Sequence, residues 1–266
     1  MNKILLSMAV AAALLATACS DIDSDERYLA VDKVEAKRCV LLEDFTGQEC
    51  LNCPAAHEVI DKLLEQYGDD LIPVSIHAGS FAIPATDPYD TGLMQPEGNT
   101  YNDMWGIQEW PKGVVNRRSG AVNHDAWADA VRTELSRPTT LDLDLEATYS
   151  ADTDAIAITT TLSPSADITG KLQLWVLEDG IIAIQKNGRV YIDDYCHNHV
   201  YRASVNGVGG EDVTLKANIH TSCDHSIAVR HTDTEDWTVG NLSIVAFVYD
   251  DSGVVQAAKA QVAPQP

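Results

Sequence analysis

Residues 38–138 carry two interleaved periodicities. Residues 39–45, Cys39-Val40-Leu41-Leu42-Glu43-Asp44-Phe45, form a mostly apolar run, the pattern of a strand covered on both faces. From 54 to 67 the apolar positions are Ala55, Ala56, Val59, Ile60, Leu63, Leu64 and Tyr67. That spacing predicts a helix, with Gly68 just past its end as a stop. Residues 71–77 read as a second short strand, 114–116 as a third, and 125–135 as an amphipathic helix through Trp127, Ala130 and Val131. The stretch 77–105 is long and rich in Gly, Pro, Asp and Asn, so it is expected to be functional or to carry a helix of its own. Strand and helix alternate, which predicts an α/β unit.

Near Pro138 the pattern changes. Leu141-Asp142-Leu143-Asp144-Leu145-Glu146 alternates with period two, and strand-like segments follow at 156–162, 172–177, 213–219, 242–249 and 254–260. Asp-Gly at 179–180, Asn-Gly at 187–188 and 206–207, and Ser-Gly at 252–253 separate several of them as turns. About seven short strands of this kind predict an all-β sandwich of immunoglobulin-like type over 139–266, following the α/β unit at 38–138.

Residues 1–18 change the picture of compartment. Lys3 precedes an apolar run from 4 to 15, too short to span a bilayer comfortably, which reads as a secretory signal. Leu15-Ala16-Thr17-Ala18-Cys19 resembles a bacterial lipobox, which implies cleavage after 18, lipidation of Cys19 and anchoring to the outer membrane through the lipid. Residues 19–37 then form an acidic tether. Ser20-Asp21-Ile22-Asp23-Ser24-Asp25-Glu26 resembles the surface-export signal of Bacteroidetes lipoproteins, with Ile22 and Ser24 interrupting the pattern. The expectation is a surface-facing lipoprotein, with a periplasmic orientation as the alternative.

The chain has 266 residues, with 40 acidic and 18 basic, for a net charge of −22. Removing residues 1–18 takes one lysine with it and leaves −23. Such a balance argues against nucleic-acid binding, which needs clustered Lys and Arg. No cofactor or metal site is expected; the nearest approach is His197-Asn198-His199, whose rings would share one face of a strand but which lacks an obvious third ligand.

The sharpest chemical signal is Asp44-Phe45-Thr46-Gly47-Gln48-Glu49-Cys50-Leu51-Asn52-Cys53-Pro54. A Cys-x-x-Cys follows a buried strand and opens a helix. There the unpaired N–H groups and the positive end of the dipole favour a thiolate. A permanently closed structural disulfide is the competing reading in an oxidising compartment. The motif resembles the thioredoxin-like family. The resemblance implies that Cys50 is the nucleophile, Cys53 resolves, Asp44 moves the proton, and Trp110-Pro111 supplies a cis-proline that positions a thiol-containing protein substrate. Glu49 stands where that family usually has tryptophan, Leu-Asn separates the cysteines, and proline follows the second cysteine. These departures bear on oxidant or reductant strength more than on fold.

A resemblance over most of the mature chain is to the 28-kDa outer-membrane protein family of Bacteroidetes lipoproteins. It rests on Leu42-Glu43-Asp44-Phe45-Thr46-Gly47 before Cys-x-x-Cys-Pro-x-x-His, and on Pro111-x-Gly-Val-Val-Asn-Arg117. Trp175-Val176-Leu177-Glu178-Asp179, the stretch 197–202 and Val245-Ala246-Phe247-Val248-Tyr249 add to it. It implies a thioredoxin-like unit plus a sandwich, and leaves two functional readings: thiol–disulfide exchange, or a surface module that binds a protein or glycan ligand. Among the other residues, His57 lies one helical turn after Cys53 and could tune a thiol. Cys196 and Cys223 share the second half and an exported context, so they are expected to pair in a disulfide. Cys39 is then a buried free thiol, and Tyr101, Trp105 and Trp110 are candidates for a peptide-binding wall.

Overall fold

β1 (Val40–Thr46) is buried at every position, as its apolar run requires. A computed structural model describes residues 37–87 and 89–265; the expected signal segment, Cys19 and nearly all of the tether lie outside them. α1 (Cys53–Tyr67) follows, with Pro54 in its first turn. Pro54 is harmless there because the N–H it lacks would have no helical partner. Gly68 ends the helix at φ 53°, and its N–H caps Leu64 O. The positive φ favours a residue without Cβ. β2 (Leu71–His77) runs parallel to β1. The long connection does carry a helix, α2 (Pro96–Met104). β3 (Lys112–Val115) and β4 (Ala121–Val122) form a hairpin against the other side of β1, and α3 (Trp127–Leu135) closes this half.

The second half is all strand: β5 (Leu141–Ser150), β6 (Ala155–Pro164), β7 (Ile168–Glu178), β8 (Ile181–Asn187), β9 (Val190–His197), β10 (Val200–Ser204), β11 (Glu211–Leu215), β12 (Thr221–Ala228), β13 (Leu242–Asp250), β14 (Gly253–Gln261) and β15 (Ala263–Pro264). One sheet runs β14-β13-β7-β10-β2-β1-β3-β4, with β11 beside β7. A four-stranded sheet, β12-β6-β5-β15, packs against its β7 and β13 region, and β8-β9 stands as a hairpin of its own.

The boundary expected after Pro138 does not divide this structure, because Ala36–Pro266 is one compact unit. The large sheet takes strands from both sides of that position. β10 pairs with β2 through Val200 and Ser75, and the Ser75 N–H donates to His199 O at 2.8 Å. The fold is mostly β with mixed sheets, and residues before and after Pro138 share its largest sheet.

Alternation along the central strands explains how one sheet serves three cores. Leu172, Leu174 and Val176 of β7 face the four-stranded sheet with Ile244, Ala246 and Val248. Trp175 and Leu177 face the other way, joining Val245 and Phe247 with Leu41, Phe45, Ile72, Val74 and Ile76 of the first half. On the opposite side of β1, Val40 and Leu42 pack against Ala56, Ile60 and Leu63 of α1 and Trp127 and Val131 of α3. Each such large apolar side chain contributes ~1.5–3 kcal/mol by leaving water.

Candidate functional site

The same alternation aims two buried carboxylates in opposite directions. Glu43 points with Leu41 and Phe45, where Arg117 binds it through two hydrogen bonds, at 2.7 and 3.2 Å. Arg117 sits among aromatic rings, 4.6 Å from the Tyr249 centroid and 4.8 Å from that of Phe247. Asp44 points with Leu42 and Thr46 toward α1. Neither of its oxygens has a hydrogen-bond partner, and burial pushes its carboxyl up to about 8. His57 of α1 lies 3.7 Å from it. Burial pulls the imidazole down to about 3, so near neutral pH the two meet as uncharged groups rather than as an ion pair.

Cys50 and Cys53 are bonded to each other. Cys50 ends the turn after β1, its N–H donating to Gly47 O at 3.0 Å, and Cys53 opens α1. The Trp110–Pro111 peptide is cis. It enters β3 one residue before Lys112, which pairs with Phe45, so Pro111 comes level with the end of β1. Strand order thus gathers Cys50, Cys53, Asp44 and Pro111 at one end of β1.

Access is where sequence reasoning fell short. Cys50 is only 3% exposed and Cys53 not at all. The β8-β9 hairpin lies across the loop that holds them. The Lys186 N–H donates to Gln48 O at 2.7 Å and the Gly188 N–H to Leu51 O at 3.1 Å. Gln185 Nε2 donates to Cys50 O at 3.1 Å, and the Tyr191 hydroxyl to Glu49 Oε2 at 2.6 Å. Gln48 in turn donates to Thr91 O and accepts from the Leu93 N–H. None of Gln48, Gln185, Tyr191 or Tyr195 stood out in the sequence; only the Asn187-Gly188 turn hinted at the hairpin.

Beneath the hairpin is a histidine cluster. His57, His77, His197 and His199 line a small cavity of about 60 Å3 with Asp61, Ser75, Tyr195 and Cys196. His57 Nδ1 is 2.8 Å from the Tyr195 hydroxyl and its Nε2 3.1 Å from Thr46 Oγ1. The His77 and His197 rings meet edge-on at 5.3 Å, with both nitrogens of His77 and Nε2 of His197 unpartnered. Burial lowers His77 well below the ordinary imidazole value and His197 to about 4. β9 stops at His197, and His199 takes a left-handed φ of 58°, so the two do not alternate on one strand, yet they share this cavity. Among the described residues no three His, Cys, Asp or Glu side chains are arranged to hold a metal.

Several expectations are corrected. Cys196 and Cys223 are free thiols: Cys196 is exposed on the hairpin, whereas Cys223 lies in the four-stranded sheet against the apolar core between that sheet and β7 and β13. Strands of different sheets hold them, so no bridge forms. Cys39 is free and half-buried. Tyr101 belongs to no binding wall, because it is fully buried and accepts a hydrogen bond from Trp175 Nε1 at 2.9 Å. Trp105 and Trp110 pack partly buried against that same core.

Together these features define a mixed-sheet protein with a disulfide at a helix N-terminus, closed in by its own hairpin. The chain belongs to the outer membrane protein Omp28 family, whose model matches residues 98–266. That span begins after the Cys-x-x-Cys. Among solved structures, HBP35 of Porphyromonas gingivalis is similar in fold, with TM-score 0.69 and 17% identity over 86% of this chain and 78% of that one. Protein AGR_C_4864 from Agrobacterium tumefaciens aligns at TM-score 0.51 and 14% identity, over 85% of this chain and 94% of that one. A domain of the outer membrane lipoprotein Omp28 from Porphyromonas gingivalis is 24% identical over 48% of this chain and 92% of its own length, at TM-score 0.37. Among curated proteins none matches the chain.

Proposed function

We propose that this is an outer-membrane lipoprotein, anchored through Cys19 and facing the cell surface, that exchanges disulfides with protein thiols through Cys50 and Cys53. On this reading β2-β1-β3-β4 with α1 and α3 is a thioredoxin-like unit, and an immunoglobulin-like sandwich continues its sheet. The observation that carries it is the gathering of a bonded Cys-x-x-Cys, a buried uncharged Asp44 and a cis-proline at one end of β1.

In the exchange a substrate thiolate attacks Cys50 Sγ. The S–S bond breaks, and its electron pair goes to Cys53 Sγ, which takes the proton of Asp44. A second substrate thiolate then attacks the substrate sulfur of the mixed disulfide and expels Cys50 as thiolate. The substrate leaves oxidised, and Cys50 and Cys53 are left reduced. Proton return to Asp44 and reoxidation by another disulfide close the cycle.

Burial of both sulfurs favours a second reading, in which the bridge is a staple and the molecule binds a surface ligand without chemistry. The reduction potential of the full chain, set by equilibration with dithiothreitol, decides between them. A value in the range of exchanging dithiols, above roughly −270 mV, supports exchange. One below about −300 mV, where structural disulfides lie, leaves the staple. Loss of the protein from the membrane fraction in C19A, and its digestion by protease on intact cells, test anchor and orientation.

A further inference from the structure

The β8-β9 hairpin is built unlike the rest of the molecule. It joins neither large sheet, and Ala183 is its only buried apolar residue. Ile182, Val190 and Tyr191 point their apolar surface outward. Apart from a small apolar contact of Ala183 and Ile181 with Leu93 and Val200, what holds it down is polar: the bonds from Gln185, Lys186, Gly188 and Tyr191 to the loop 47–51, and Tyr195 on His57. Its two ends meet at one place, where the Gly180 N–H donates to Asn198 Oδ1 at 2.9 Å. Both flanking residues, Gly180 (φ 74°) and His199 (φ 58°), have positive φ. A segment with little apolar burial, tied by bonds that water can replace, opens locally at low cost.

Opening matters because exchange needs a thiolate to reach a sulfur, and with the hairpin bonded to the loop 47–51 both cysteines are buried. We propose that the hairpin is a strap over the Cys50–Cys53 disulfide that must lift before a thiol can attack, and that acid loosens it through the histidines it covers. The proposal rests on the exchange reading above and concerns the regulation of that same site.

The sign of the acid effect follows from burial. Closed, His57, His77 and His197 are kept uncharged. Lifting returns them to water, where they bind protons from about pH 6.5 downward. The open form is therefore favoured progressively below that pH. Asp44 of β1 faces His57 and works the other way, since burial holds its proton. Arg202 of β10 opposes charge on His77, and Asp61 and Glu58 of α1 lie near Tyr195. His199 is paired with Asp179, beside Lys259. At about pH 6.5 and below the three imidazoles gain more protons than the one carboxyl loses, so there net uptake accompanies opening.

The test is the rate at which dithiothreitol reduces Cys50–Cys53 in the full chain, read by alkylation and mass spectrometry. Q185A and Y195F remove strap contacts without touching a sulfur, and each is expected to speed reduction at least tenfold at pH 7.5. Rates within twofold of the natural chain for both overturn the strap. The natural chain's rate, divided by that of a small exposed disulfide reduced alongside so that the reductant's own pH dependence cancels, should rise at least threefold between pH 7.5 and 5; a constant quotient overturns the acid effect. Hydrogen exchange on the unaltered chain needs no variant. The Lys186 and Gly188 amides should exchange at least a hundredfold faster than those of β13, and equal protection overturns the proposal. Fast reduction in the variants with a potential in the range of structural disulfides would instead defeat the exchange reading and leave the strap standing.

Discussion

Arg117 and Asp44 show how one strand keeps two charges at different cost. Arg117 ends the Pro-x-Gly-Val-Val-Asn-Arg stretch, and its side chain does structural work: it neutralises Glu43 inside an aromatic cage. Asn116 before it binds the β1 backbone, accepting from the Leu41 N–H at 2.8 Å, and donates to Glu134 at 3.1 Å. R117M leaves the Glu43 carboxylate buried and unpaired, so it should cost about 3–5 kcal/mol in urea unfolding. Adding E43Q should recover much of that loss, and no recovery would mean the pair is not what matters. Asp44 has no such partner. Its folded value lies above its unfolded one, so it holds its proton in the native chain and lowers stability as pH rises from about 4 to about 8. D44N removes this slope. Relative to the natural chain its stability should be flat below pH 4 and rise by as much as ~1.4 kcal/mol per pH unit up to pH 8. Parallel stability curves over that range would show that Asp44 ionises freely in the fold.

The elements legible in the sequence are those whose faces meet apolar cores. β1, β2, α1 and the strands from β5 to β7 and β13 to β14 announced themselves because burial on one or both faces leaves a period of two or a continuous apolar run. β9 did not. Its residues Val190-Tyr191-Ile192-Asp193-Asp194-Tyr195-Cys196-His197 cover a polar loop, so the facing side needs hydrogen-bonding groups and the alternation disappears. The short β10 and the half-exposed β12, Thr221–Ala228, escaped for similar reasons. The Cys-x-x-Cys could be found from its spacing, and Asp44 and Pro111 from the thioredoxin-like resemblance that the motif carries. The strap could not, because its contacts join residues more than a hundred positions apart. Helix ends are local, and there the sequence signal suffices. Gly68 sits at φ 53°, ψ −130°, a region that side chains with a Cβ avoid. G68A should therefore lower stability by ~1–3 kcal/mol while leaving the rate of disulfide reduction unchanged. A neutral effect on thermal unfolding would show that the helix end rearranges freely.

On the scale of the whole molecule, the question is whether the first half can stand without the second. One face of β1 and β2 is covered by α1 and α3, which belong to residues 38–138. The other face is not self-sufficient. α2 supplies Tyr101 there, but Trp175, Leu177, Tyr201, Val245 and Phe247 all come from beyond Pro138. Arg38 makes the same connection from the start of the chain, donating to Val254 O of β14 at 2.7 Å. Cutting after 138 would expose Leu41, Phe45, Ile72, Val74 and Ile76 to water, and would strip Arg117 of the Trp175, Phe247 and Tyr249 rings. A fragment of residues 38–138 is thus expected to be insoluble or to melt without cooperativity, and co-expression with 139–266 should restore a soluble complex. The intact chain should unfold in one transition, with tryptophan fluorescence and far-ultraviolet circular dichroism giving the same midpoint. A cooperative melt from the fragment alone would mean that α2 and the loops around it close that face unaided, and the shared sheet would then be a docking of two independent units rather than one fold.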